Sequence, residues 1–413
     1  MRLTLMGREG HALPMTTTAT PLPAVRPSAA AAPAPFLVVL LAAGAGLSAA
    51  SLYYNQPILG AIAHDFGASP TATGWLPTLT QVGYAIGLLL FAPLGDRFDL
   101  RRVILTKGAA LSAALLFAAL APSLGALAVA SLAIGLLATT AQDFVPAVAA
   151  LAPPHARGKT VGTAMTGLLL GILLSRVASG AVGEHLGWRA VYMGASALVA
   201  GLMTVVWLRL PRMMPSTSAS YGSLLGSTLT LVRQHAPLRR AALAQALLAV
   251  AFSGFWSTLA IVLSKEPFHL GSTVAGAFGL AGAIGAFAAP VAGAIADKKG
   301  PPAVVRVGAL LVFVAFLAMA LVPRSLGVLL IATVVFDLGV HASLIAHQSI
   351  VYGLDAAARS RLNAILMSTM FAGMAIGSAV ASRIVESWGL VGVGLLGATA
   401  AVVAIVVRGV RAR

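Results

Sequence analysis

The chain contains no cysteine and few charged residues. Without cysteine, disulfide bonds and thiolate metal sites are excluded, and the sequence does not indicate a redox compartment. Only 9% of the 413 residues are charged, far below the proportion of about 25% in water-soluble domains. Segments of strictly alternating polarity, typical of strands that span an outer membrane, are also missing. These absences exclude an ordinary soluble domain.

Long apolar runs fill the sequence instead. Hydrophobic residues make up 59% of the chain, and its mean hydropathy is +0.94. About 20 apolar residues cross a hydrocarbon core of roughly 30 Å. The pattern predicts an all-α integral membrane protein with twelve transmembrane helices, at 36–61, 74–94, 103–121, 125–150, 160–182, 190–210, 241–263, 273–296, 303–322, 327–352, 362–383 and 389–408. Little chain is left for a catalytic domain, so we expect no enzyme activity, no cofactor and no metal site.

The net charge of +16 follows a topological pattern. Most Lys and Arg residues lie in the terminal tails and in every second loop between the apolar runs. The positive-inside rule therefore places both termini in the cytoplasm of a multi-pass protein in a bacterial-type inner (plasma) membrane. This pattern explains the positive charge without nucleic-acid binding. The expected partners are the lipid bilayer, a small-molecule substrate and protons, with the chain acting as a monomer.

The chain divides into two similar parts. We predict a disordered tail at 1–35, a first six-helix bundle at 36–210, a cytoplasmic linker at 211–240, a second six-helix bundle at 241–408 and a short tail at 409–413. The linker contains a predicted amphipathic helix from Tyr221 to Arg233.

Several features repeat about half a chain apart. Asp96 and Asp297 both follow an apolar run and precede basic residues, and an offset of 202 positions (386 minus 184) relates Glu184 to Glu386 and Gly171 to Gly373. The repeat indicates an internal duplication. In duplicated transporters of this kind the binding site lies near the midplane between the halves, and rocking of the halves gives alternating access.

The motifs resemble those of the major facilitator superfamily, over residues 36 to 408. The family's loop signature, Gly-x-Leu-Ala-Asp-Arg/Lys-x-Gly, is matched almost fully by Gly293 to Gly300 and imperfectly by Ala92 to Arg102. Tyr53 to Leu59 and Gly187 to Tyr192 are similar to segments of bacterial drug/proton antiporter-type exporters. The antiporter motif of the fifth span is eroded at Ser175 to Gly180. The resemblance implies secondary transport of a small molecule, with exchange for protons as the expected coupling.

The duplicated loops supply candidate gating residues. An acid at the end of the second or eighth span could cap a neighbouring helix and pair with loop arginines, in a cluster that breaks when the halves rock. A cluster that only fixes topology is the alternative. The candidates are Asp96, Arg97, Arg101, Arg102, Gly293, Asp297, Lys298 and Gly300.

Four ionisable residues within the apolar runs are candidates for proton coupling: Asp143, Arg176, Asp337 and His341. Ionisable groups are costly in hydrocarbon and are functional candidates for that reason. Asp143 and Arg176 lie on consecutive antiparallel helices, and they either neutralise one another or stay apart. Asp337 and His341 share a helix face, so they either exchange a proton or only hold the tenth helix in register.

The candidates for a substrate cavity are polar and aromatic: Tyr54, Asn55, Gln56, Gln81, Tyr84, Gln142, Trp256 and Phe371. Tyr53 is expected to anchor the chain at the membrane interface, and Trp256 is a second candidate for that role.

The preferred function is proton-coupled efflux of a small, largely apolar compound. The alternative is transport of a polar metabolite such as a sugar or an organic anion, which would be favoured if Arg176 faces a cavity unpaired with Asp143.

Overall fold

The computed structural model describes residues 35–153, 156–214, 220–286, 298, 300–355 and 358–409, and helices dominate these ranges. The first half contains α1 (Pro35–Ala50), α2 (Asn55–Phe66), α3 (Pro70–Thr73), α4 (Trp75–Arg97), α5 (Leu100–Ala119), α6 (Leu124–Ala138), α7 (Thr140–Leu151), α8 (Arg157–Leu186) and α9 (Trp188–Arg209). The linker helix is α10 (Tyr221–Gln234). The second half contains α11 (Ala236–Ser264), α12 (Ser272–Ala286), α13 (Pro301–Leu321), α14 (Leu326–Tyr352) and α15 (Arg359–Gly409).

The helices account for the twelve predicted spans. Within the described ranges, nine helical segments are long and apolar enough to cross a membrane, and the bent pair α1 and α2 makes a tenth. The 51 residues of α15 would extend about 75 Å as one helix, more than twice the hydrocarbon thickness. A positive φ of 53° at Gly389 breaks α15 into two spans. The apolar helix α12 supplies the remaining span, so the protein has an all-α membrane fold of two six-helix halves.

The first span is not the single helix that the sequence predicted. It stops at Ala50, resumes at Asn55 and bends by 40°. Pro57 explains the break, because proline lacks a backbone N–H and its ring conflicts with the carbonyl four residues earlier. The four residues of the break are buried, which is where a membrane protein tolerates non-helical backbone.

The two halves repeat one close helix contact. In the first half α8 packs on α1, and a Cβ on Gly171 would lie 2.2 Å from the Gly46 carbonyl oxygen. In the second half α15 packs on α11, and a Cβ on Gly373 would lie 2.2 Å from the Ala246 carbonyl oxygen. Only glycine permits this backbone approach. The contact supports duplication of a six-helix unit.

We call one end of the bundle the basic end, because Arg97 at the end of α4, Arg209 at the end of α9 and Arg359 at the start of α15 lie there. The opposite end is the far end. At the far end the halves touch through two equivalent contacts. The Thr273 backbone N–H donates to Glu184 Oε2 at 2.7 Å, and the Thr71 hydroxyl donates to Glu386 Oε2. The two threonines are 202 positions apart (273 minus 71), as are the two glutamates. The far end is therefore closed by a pair of contacts related by the duplication.

At the basic end, the described parts of the two halves have a cavity between them. A cavity of about 360 Å³ lies there, lined by residues of α4, α7 and α8 from the first half and by Ser360, Asn363 and Met367 of α15 from the second. The linker helix α10 contacts both halves beside it, since the Tyr221 hydroxyl donates to the Leu90 carbonyl at 2.6 Å and α10 also contacts α15. Among the described residues, the two halves are thus in contact at the far end and have a cavity between them at the basic end.

Candidate functional site

Arg176 of α8 lies buried at the junction of the two halves, with 5% of its surface exposed. Its guanidinium carbon is 4.5 Å from the ring centroid of Tyr53 and 4.2 Å from that of Trp256. Its Nε donates to Gln56 Oε1 at 2.9 Å. Tyr53 comes from the break in the first span and Gln56 from the first turn of α2, whereas Trp256 belongs to α11 in the other half. Cation–π contacts of this kind hold a buried guanidinium without a carboxylate.

Trp256 connects Arg176 to Asp337 and His341, a pair of side chains on α14. The Trp256 indole Nε1 donates to Asp337 Oδ1 at 3.3 Å, and His341 Nδ1 lies 3.3 Å from Asp337 Oδ2. The Asp337 side chain is 4% exposed and that of His341 is 30% exposed. His341 is thus the more exposed member of this pair. We call the five residues Gln56, Arg176, Trp256, Asp337 and His341 the central cluster.

Asp143 does not pair with Arg176. Its Oδ2 lies 2.6 Å from Lys107 Nζ, and both side chains are at least nine-tenths buried. The positive-inside pattern assigned Lys107 to the basic loop between the second and third predicted spans. However, α5 begins at Leu100, so Lys107 lies about 10 Å inside the helix at 1.5 Å per residue. Asp143 also lines the basic-end cavity, which places this ion pair in its wall.

Two aromatic candidates contact each other on the helices that line that cavity. The rings of Tyr84 in α4 and Phe371 in α15 meet across the halves with centroids 4.3 Å apart. Each lies about one helical turn deeper than the cavity-lining residues Leu88 and Met367. Gln142 lines the cavity and donates from Nε2 to the Tyr84 hydroxyl at 3.0 Å.

The other cavity candidates lie deeper. Gln81 Nε2 donates to Ser253 Oγ across the halves at 3.4 Å, and Asn55 Nδ2 donates to Thr80 Oγ1 at 3.2 Å. Tyr54 is buried in the apolar core of the first half. None of these three residues lines the basic-end cavity.

The expectation that Tyr53 is an interfacial anchor is wrong, and the same role for Trp256 is excluded. Tyr53 is 6% exposed and Trp256 is 2% exposed. The break before Pro57 turns Tyr53 into the bundle, which helical periodicity alone could not reveal.

Asp99, which was not among the gating candidates, caps the start of α5. Its Oδ1 accepts the Arg101 backbone N–H at 3.1 Å, at the start of α5, and the Met213 backbone N–H at 2.9 Å. Arg102 lies 3.9 Å from its other carboxylate oxygen. In the comparison with the loop signature, Asp99 stands where the signature has its second glycine, and no role was predicted for it.

The remaining gating candidates are distributed as follows. Arg101 also donates from Nη2 to the Trp207 carbonyl, and Arg97 stacks on Phe98. Lys298 is exposed, and Gly300 adopts a φ of 81° immediately before α13. The Asp96 side chain, Gly293 and Asp297 lie outside the described part of the structure.

Comparisons with known proteins agree with this architecture. The sequence profile described as Major Facilitator Superfamily matches residues 41–354. The chain is 39% identical to the Escherichia coli O157:H7 protein named "Uncharacterized transporter YgaY" over 373 residues, covering 90% of this chain and 95% of that protein. It is 35% identical to "Probable transporter SCO4007" of Streptomyces coelicolor over 396 residues, covering 92% and 90% of the two chains.

A solved structure shares the fold. The crystal structure of the nucleoside transporter NupG superposes with a TM-score of 0.76, covering 90% of this chain and 98% of that one, at 13% sequence identity. At this identity the likeness shows the fold alone. Profile, relatives and fold agree that the chain belongs to the major facilitator superfamily and is a multi-pass membrane transporter.

Proposed function

We propose that the protein exports a small, largely apolar organic compound in exchange for protons, by alternating access. The observation that carries this proposal is the central cluster. It places a buried carboxylate, Asp337, within reach of a partly exposed imidazole, His341, on one side and of the Trp256 indole on the other, at the junction of the two halves.

The cluster offers a route from protonation to conformational change. The charged form of Asp337 accepts a hydrogen bond from Trp256, and Trp256 stacks on Arg176 of the other half. A proton on Asp337 removes its negative charge and weakens its attraction for Trp256 and Arg176. Protonation therefore changes the relative stability of conformations that differ at this junction. His341 lies beside this carboxylate, and an imidazole can carry a proton and deliver it.

The orientation follows from the charge pattern. The positive-inside rule makes the basic end cytoplasmic, so the described conformation is inward-facing, and bacterial relatives support an inner-membrane location. The latch role of Asp96 and Asp297 remains part of this proposal.

An efflux screen in bacterial cells tests the function. Cells that carry the protein or an empty vector are loaded with fluorescent dyes and labelled metabolites, with and without a protonophore. We expect at least one apolar compound to accumulate less in cells with the protein, and the protonophore to abolish the difference. Export that survives collapse of the proton gradient would contradict proton coupling.

A further inference from the structure

Two hydrogen-bond donors of the central cluster have no partner among the residues that the structure describes. They are Arg176 Nη2 and Gln56 Nε2, and both atoms are fully buried. Within the described ranges no carboxylate lies within ion-pair distance of Arg176, because Asp337 is engaged by His341 and Trp256. A guanidinium cannot release its proton. The site therefore keeps a positive charge and two free donors in a buried place.

Both donors belong to residues that line one narrow cleft. The other lining residues are apolar or aromatic: Pro57, Trp256, Leu259, Ala260 and Ala275. In this conformation the side chains leave no room for a water molecule between them. Water therefore cannot satisfy the donors here, and buried polar groups generally require partners.

We propose that Arg176 and Gln56 form a binding subsite for a carboxylate group of the substrate, with Arg176 Nη2 and Gln56 Nε2 donating to its oxygens. This inference rests on the proposed transport of a small organic compound and narrows its class to monocarboxylates with a compact apolar body. Planar guanidinium groups suit carboxylates in particular. The apolar body lies against Pro57, Trp256 and Leu259.

The position of the subsite couples binding to the motion of the halves. Arg176 and Gln56 belong to the first half, whereas Trp256 and Leu259 belong to α11 of the second. Separation of the halves therefore widens the cleft. A carboxylate thus binds when the cleft widens and supplies the partners that both donors lack.

Ligand binding to the purified full-length protein tests the proposal. The probes are benzoate, cyclohexanecarboxylate and hexanoate at neutral pH, each compared with its own primary amide, which has the same shape and no charge. The readout is the thermal unfolding temperature as a function of ligand concentration. We expect saturable stabilisation by at least one acid and none by the matching amide.

Substitutions connect that preference to the subsite. Arg176→Lys keeps the charge but loses the planar fork, and Gln56→Leu keeps the volume but loses the donor; each should weaken acid binding at least tenfold. Arg189→Lys is the matched control, since Arg189 also stacks on a tryptophan, Trp188, at 4.2 Å but is exposed and paired with Asp65. It should bind the acids as the wild-type protein does.

Three results would overturn the proposal. They are equal stabilisation by acids and amides, unchanged acid affinity in Gln56→Leu, and no stabilisation by any acid up to about 10 mM. If Arg176→Lys does not fold, the comparison of acids with amides and the Gln56→Leu variant decide the matter. Failure of proton coupling is distinguishable, because it would abolish the protonophore effect on efflux and leave the acid preference intact.

Discussion

Lys107 and Asp143 form the most buried ion pair among the described residues, with side chains only 8% and 7% exposed. Desolvation of two charges is expensive, and the attraction between them does little more than offset that cost. Loss of one partner is a different matter, since it leaves a single charge in an apolar surrounding.

We expect Lys107→Met and Asp143→Asn to lower the free energy of unfolding by about 3–5 kcal/mol each, whereas the double variant Lys107→Met with Asp143→Leu should lie close to the wild type. Thermal unfolding of the detergent-solubilised variants measures this order. Arg189→Met provides the control, because Arg189 and Asp65 form an exposed pair whose loss has a smaller effect. A double variant that is no more stable than the single variants would contradict the account of a buried pair.

Contacts within one helix were predictable, and contacts between helices were not. The approach of His341 to Asp337 follows from their spacing of four residues in α14. The partners of Arg176 do not follow from any spacing, because Gln56 reaches it through a proline break and Trp256 reaches it from the other half. For Asp143, the sequence left a pairing with Arg176 open and did not indicate Lys107 as the partner.

At the scale of helices, the far-end contacts between α8 and α12 and between α15 and α3 keep the halves together on one side. In both, a glutamate near the end of one helix meets a threonine near the start of a helix in the other half, where an acid is favoured by the helix dipole. The glutamates are exposed, so each contact contributes modestly and the two act as a pair.

We predict that Glu184→Gln and Glu386→Gln each raise the population of far-end-open conformations, by severalfold, with a larger effect in the double variant, because a neutral amide is a weaker acceptor. The reporter is Ser382→Cys, a buried position in contact with the region of Gly74 across the halves. The chain has no native cysteine, so the rate at which the variant reacts with a maleimide reports the accessibility of position 382 alone. Glu266→Gln in the loop after α11 is the control, and unchanged labelling in the double variant would refute a latch.

Apolar runs fixed the number and approximate limits of the helices, since a span is recognisable from length and hydropathy. The bend of the first span was not predicted, although Pro57 is present in the sequence. The repeat related Glu184 to Glu386 but did not indicate which residues they contact, because Thr71 and Thr273 carry no charge and belong to no motif.

At the scale of the whole molecule, contacts between the halves at the far end, a cavity between them at the basic end and a buried ionisable cluster fit one state of the alternating-access cycle that we propose. The cluster lies where the halves meet, so the protonation of Asp337 and the arrangement of Arg176 and Trp256 depend on the same motion. The superfamily fold was evident from the repeat, while the path from Asp337 to Arg176 required the structure.

The most direct test of proton coupling uses Asp337→Asn in proteoliposomes, with an exported compound identified by the efflux screen. The amide resembles the protonated acid, so we expect loss of accumulation driven by a pH gradient together with retained exchange of labelled for unlabelled substrate. Asp65→Asn, an exposed aspartate at the far end, should behave as the wild type in both assays. Normal gradient-driven accumulation by Asp337→Asn would contradict the account.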